Sequence, residues 1–138
     1  YRNSARNGYV PCMYHYMRQL MRALPKMESS EKGLALQEMR MMSNRWKWQS
    51  PEIMMITGDL YAAKWFRDDD GFMQQYHWRM AQKMGATHEI SDFDGVMRAR
   101  VKRLSPEKEK KLHEAVEAGM RNVLHIDHPL EFIDICVE

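Results

Sequence analysis

Apolar side chains recur at helical spacing along most of the chain. Met13, Met17, Leu20 and Leu24 share one face, with Tyr14, Arg18 and Arg22 in a neighbouring stripe, each four residues from the next. Pro25 lacks an N–H and disfavours helical geometry in Leu24, so a first helix is predicted over about 12–24. Ser29 and Ser30 offer caps for a second, over about 30–47, whose apolar positions are Leu34, Leu36, Met39, Met42 and Trp46, with Met41 beside them. Ser50-Pro51-Glu52 supplies an N-cap, a proline at the first helical position and an acid in the first turn. The third helix it opens is predicted over 51–67, burying Ile53, Ile56, Leu60 and Ala63, with Trp65 and Phe66 at its end. Asp68-Asp69-Asp70-Gly71 reads as its terminator, with three acids against the helix dipole and Gly71 supplying a left-handed turn.

Phe72, Tyr76, Met80 and Met84 mark a fourth helix closed by Gly85, and residues 86–95 read as a loop. A short basic helix is predicted from Val96 to Leu104. Ser105-Pro106-Glu107 repeats the start signal ahead of Leu112, Val116, Met120, Val123 and Leu124. After Pro129 the period changes, Ile133, Ile135 and Val137 alternating with Asp134, Cys136 and Glu138; this predicts an extended tail that packs on a neighbouring chain. The expected fold is all-α: a basic arm (1–10), a helical bundle (11–84), and a helical C-terminal extension with the tail (85–138). In the bundle, Leu20, Leu36, Ile56 and Leu60 are expected to pack together. No apolar run approaches the ~20 residues of a membrane span.

Composition reinforces the helical reading: 14 Met, with Leu, Ala, Glu, Lys and Arg, outweigh the β-branched residues. The net charge of +2 hides an asymmetry. Up to Lys26 the cations Arg2, Arg6, Arg18, Arg22 and Lys26 meet no acid, which points to an acidic partner for this end: a carrier protein, an RNA or an anionic lipid surface. The Arg-rich, acid-free start also fits the neighbourhood of a cleaved mitochondrial transit peptide. Cys12 and Cys136 form no CxxC; such sparse use fits a reducing compartment, although distant thiols pair where termini meet.

Catalytic chemistry finds no foothold. His125-Ile126-Asp127-His128 has ligand types but no second cluster, and its position before Pro129 suits a helix C-terminus. The Asp68–Gly71 run lacks the alternating ligands and closing Glu of a calcium loop. There is no Gly-rich phosphate loop, and no Ser or Cys stands in a nucleophile elbow. No catalytic residue, metal or cofactor of its own is therefore expected. Arg98, Arg100, Lys102 and Arg103, with Trp46, Lys47 and Trp48, supply the cations and rings of an RNA contact, which makes an RNA-contacting protein of the mitochondrial ribosome or its assembly the alternative reading.

The segment from Tyr16 to Pro25 resembles the first helix of the LYR-motif family. Arg18 matches the motif arginine, Arg22 the second arginine a turn later and Pro25 the terminator, with Tyr16 and Met17 standing where the signature has Leu and Tyr. Arg40 to Arg45, then Ser50-Pro51-Glu52, then Gly58-Asp59-Leu60 follow the family's order of an Arg-rich second helix, a proline turn and a glycine-containing third helix. The resemblance implies a three-helix LYR-type bundle in a non-catalytic accessory or adaptor subunit. Its place would be the mitochondrial matrix or the matrix face of the inner membrane, within a large complex, respiratory complex I first among them. It also implies an acyl carrier protein as partner, met by Tyr16, Arg18, Arg22, Arg40 and Arg45 at its phosphopantetheine. The acyl chain of that group would lie in a groove of Met17, Leu20, Met21, Met39, Met42, Ile56 and Leu60. Independently of the family, Met is an adaptable filler for such a groove and Arg a good partner for phosphate.

Overall fold

The computed structural model describes residues 10–86 and 104–123, with side chains from Cys12 onward. It is all-α. The helices are α1 (Val10–Ala23), α2 (Ser29–Trp46), α3 (Pro51–Ala62), α4 (Phe72–Lys83) and α5 (Pro106–Met120), with a 3-10 turn at Leu24–Lys26. The basic arm, the basic segment at 96–103, the His125–His128 stretch and the tail at 129–138 lie outside the described residues.

Local chemistry places most of the helix starts. Ser50 Oγ accepts from Ile53 N (3.2 Å) and Pro51 fills the first turn of α3; Ser105 Oγ accepts from Lys108 N (3.3 Å) ahead of Pro106 in α5. α2 departs from expectation. Its N-cap is Glu28, which makes no side-chain cap, and Ser29 is already the first helical residue.

The end of α3 also differs from the predicted boundary. The helix stops at Ala62 because Lys64 takes a left-handed conformation (φ 66°). Trp65 N then reaches back to Leu60 O (3.0 Å) and Lys64 N to Tyr61 O (3.0 Å), which closes the last turn in a Schellman arrangement. Two of the three aspartates, Asp68 and Asp70, consequently belong to the next helix. Asp68 accepts from Met73 N (3.1 Å) and Gln74 N (2.9 Å), and Asp70 from Phe72 N (3.0 Å). They satisfy the orphan donors of α4 at the end where its dipole favours negative charge, so they support α4 rather than oppose α3. Gly71 (φ 83°) is the N-cap of α4, not the C-cap of α3.

Helix α3 is the centre of the molecule. Every residue from Pro51 to Leu60 is buried, and the helix touches α1, α2 and α4. A helix apolar on all sides has to be covered on all sides. Its Ile53, Ile56 and Leu60 join Met13, Met17, Met21, Leu24, Met39 and Phe66 in one core, between α1, α2 and α3. Met54 and Met55 face the other way and join Trp78, Met80, Leu112 and Val116 in a second core, between α3, α4 and α5. Of the four leucines and isoleucines expected to meet, Ile56 and Leu60 are buried, while Leu20 and Leu36 are partly buried against the same core.

Two glycines set the helix spacing. A Cβ on Gly58 would stand 2.7 Å from Trp78 Nε1 and 3.1 Å from Gln74 O; one on Gly119 would stand 2.6 Å from the Tyr76 hydroxyl. The close approach of α3 and α4 lets the Trp78 indole donate to Asp59 Oδ1 (2.8 Å), a buried polar pair between the two helices. Arg79 bridges α4 to Glu109 of α5.

Candidate functional site

The residues nominated for binding divide between surface and interior. Along α1, Tyr16 is buried and donates its hydroxyl to Glu38 Oε2 of α2 (2.9 Å). Arg18 is half-buried rather than free in solvent; its guanidinium lies 5.7 Å from the Tyr14 ring centroid and its Nε is buried without a hydrogen-bond partner among the described residues. The adjoining His15 is held below its ordinary pKa, first by burial and then by the Arg18 charge. Arg22 is exposed. On α2, Arg40 and Arg45 are exposed and lie over rings: Arg40 is 4.2 Å from the Phe66 centroid and Arg45 is 5.1 Å from that of Trp46.

The nominated groove residues do come together. Met17, Met21, Met39, Ile56 and Leu60 belong to the first core, fully or nearly fully buried, and Leu20 and Met42 pack against its edge. They form a packed methionine-rich interior between α1, α2 and α3.

The rings that would stack on bases are also placed. Trp46 packs against the first core and Trp48 against the second, both half-buried. Each has a cation of this chain over it, Arg45 over Trp46 and Lys47 over Trp48 (5.5 Å).

α2 turns only Ala35, Met39 and Ser43 fully inward. Its opposite face carries Leu34 and Met41, 70% and 65% exposed, two helical turns apart. Gly33, just before Leu34, is also exposed, with open space where a Cβ would be. No family model, curated protein or solved structure matches the chain. Among the described residues, no group of three His, Cys, Asp or Glu is placed to hold a metal, and no helix is long and apolar enough to cross a membrane.

Several polar groups point into the interior, and of these only Lys47 had been nominated from the sequence, as a cation for RNA. Ser43 Oγ meets Thr57 Oγ1 at 2.6 Å, and Thr57 donates onward to the Ile53 carbonyl (2.7 Å). Lys47 Nζ meets His77 Nε2 at 3.1 Å. Glu52 is buried, which pushes its carboxyl pKa up, against the Ser50 hydroxyl that donates to it (3.1 Å). The one sequence signal for this set is the interruption of the apolar run of α3 by Glu52, Thr57 and Asp59; nothing local pairs Lys47 with His77.

A recess of about 560 Å³ opens where α3 passes into α4, lined by Tyr61, Trp65, Phe66, Asp68, Asp69 and Gln74 among others. Its carboxylates are engaged: Asp68 caps α4, Asp69 pairs with Arg67, and Asp70 at its rim pairs with Lys108.

Proposed function

We propose that this chain is a non-catalytic adaptor that holds an acidic macromolecule against the outward face of α2. The partner we assign is an acyl carrier protein of the kind that LYR-type adaptors take, within a matrix-side mitochondrial complex such as respiratory complex I. The observation that carries the reading is the pair Leu34 and Met41, large apolar side chains left in solvent on one helix face, on a helix that also exposes Arg40 and, one turn beyond Met41, Arg45. An exposed apolar strip on a helix that also exposes cations can receive a partner helix with an apolar stripe and carboxylates. The Phe66 and Trp46 rings beneath Arg40 and Arg45 restrict the two guanidinium groups, which lowers the entropy lost on pairing. Behind α2, the side chains of Met17, Met21, Met39 and Met42 can shift to admit an acyl chain at smaller strain than branched residues would require.

The test is purification of the chain from its native source, with intact-mass analysis of what accompanies it. A small acidic protein bearing an acyl-phosphopantetheine mass is the expected companion. Reversing charge at Arg40 and Arg45 together should remove that companion while leaving the helical circular-dichroism signal unchanged, because both side chains are exposed. Unaltered binding by this double variant would overturn the docking face. A companion released by nuclease, with affinity falling steeply in salt, would replace the carrier by RNA.

A further inference from the structure

Lys47 caps the C-terminus of α2, and its side chain turns into the protein, where its amine meets the Nε2 of His77 at 3.1 Å. His77 is wholly buried on α4, and its Nδ1–H donates to the Met73 carbonyl at 2.7 Å. That bond fixes the tautomer, so Nε2 is a bare acceptor facing the lysine. The ring cannot turn away: Tyr61 of α3 stacks on it (centroids 5.2 Å, planes 25° apart), and Tyr76 meets its edge (5.2 Å). The Trp48 ring lies on another side of the amine, 5.5 Å away.

No carboxylate lies within ion-pair distance of Lys47 among the described residues. A half-buried lysine normally has one, because an ammonium taken from water needs a compensating anion. Here the acceptor is neutral. The side chains shown against the amine are His77 of α4 and Trp48 of the α2–α3 connection, and neither carries negative charge. Burial accordingly holds Lys47 below the ordinary lysine range. His77 is held down to about 3, first by its own burial and then by the Lys47 charge, so it stays an acceptor throughout.

We propose that Lys47 is an acylation site, a nucleophilic amine positioned by His77 that takes an acyl group from a thioester. With its extra proton released to solvent, the amine gives one N–H to His77 Nε2 and keeps its lone pair free. That pair attacks the thioester carbonyl carbon; the C–N bond forms, the C–S bond breaks and the thiolate leaves. The nitrogen loses one proton, which the leaving sulfur takes through solvent, so the products are an amide on Lys47 and a free thiol. The step is stoichiometric and needs no other reactant. His77 is a positioning residue, and the site does not depend on which macromolecule docks on α2.

The experiment incubates the full chain with a small thioester, S-acetyl-N-acetylcysteamine, between pH 6.5 and 10. Acetylation of each lysine is then quantified by peptide mass spectrometry. At pH 7.5, Lys47 should acetylate at least about tenfold faster than exposed Lys26, Lys64 and Lys110, and its rate should level off at lower pH than theirs. His77→Phe keeps an aromatic ring against Tyr61 but removes the acceptor; it should abolish the preference for Lys47 and move its pH profile onto that of the exposed lysines. Should that variant fail to fold, the wild-type profile decides by itself. A Lys47 rate equal to or below the exposed lysines, or an unshifted pH profile, would overturn the proposal.

Discussion

Replacing Gly58 by alanine sets two effects of known sign against each other. On an isolated helix the change stabilises by about 1 kcal/mol, since alanine has the higher helix propensity. In this molecule the added methyl would stand 2.7 Å from Trp78 Nε1 and 3.1 Å from the Gln74 carbonyl. The indole is buried and tied to Asp59 at 2.8 Å, so it cannot swing aside without giving up that bond. Overpacking of this kind costs roughly 1–3 kcal/mol. Disturbing the buried hydrogen bond adds about 1 kcal/mol. The clash should therefore win, leaving Gly58→Ala less stable by about 2 kcal/mol, a fall in Tm of roughly 8 °C at this chain length. Gly33→Ala is the matched control, because a Cβ there meets nothing within 4 Å. It should raise stability by about 1 kcal/mol. Urea titration and thermal melting of the two variants beside the parent read both numbers. If Gly58→Ala is as stable as the parent, the close approach of α3 and α4 is wrong.

Two further outcomes follow from the backbone and the buried histidine. Lys64→Gly should stabilise by up to about 1 kcal/mol in the same melts, since it relieves a non-glycine residue at φ 66° while retaining the Schellman bonds. The second outcome concerns pH: His77 is depressed in the folded protein to about 3 from 6.5. Below pH 6.5 the unfolded imidazole takes a proton that the folded one refuses, so this contribution is complete above 6.5 and is lost as pH falls toward 3, at up to about 1.4 kcal/mol per pH unit. Glu52, raised by burial, acts in the opposite sense, losing its contribution as pH rises through its folded pKa. Subtracting the stability–pH curve of His77→Phe from that of the parent isolates the histidine. A flat difference between pH 4 and 6.5 would show that His77 is not the buried neutral base described.

The helices were legible wherever their signals are local. Ser50-Pro51-Glu52 and Ser105-Pro106-Glu107 act through bonds spanning a few residues, and both open helices where the sequence placed them. The end of α3 was illegible because the left-handed residue is Lys64, while the next glycine along the chain, Gly71, serves the following helix. Asp68 and Asp70 were consequently assigned to the wrong dipole. In the candidate site, the period of α1 correctly put Met17 inside and Arg22 outside, but not Arg18, which lies at the border of the buried stripe. Leu34, expected among the apolar positions of α2, faces solvent, and this failure of the pattern is what the proposed docking face rests on. The Lys47–His77 pair joins positions 30 residues apart on separate helices, a relation that no local pattern encodes.

The burial of α3 on every side makes the chain indivisible. A cut between α2 and α3 would bare Met13, Met17 and Met39 on one fragment and Ile53, Ile56 and Leu60 on the other. A cut between α3 and α4 would bare Met54 and Met55 against Trp78, Met80 and Ala81. Either fragment would present a naked apolar helix face and be prone to aggregate, so α2 is held, through α3, by a packed body that reaches to Val116.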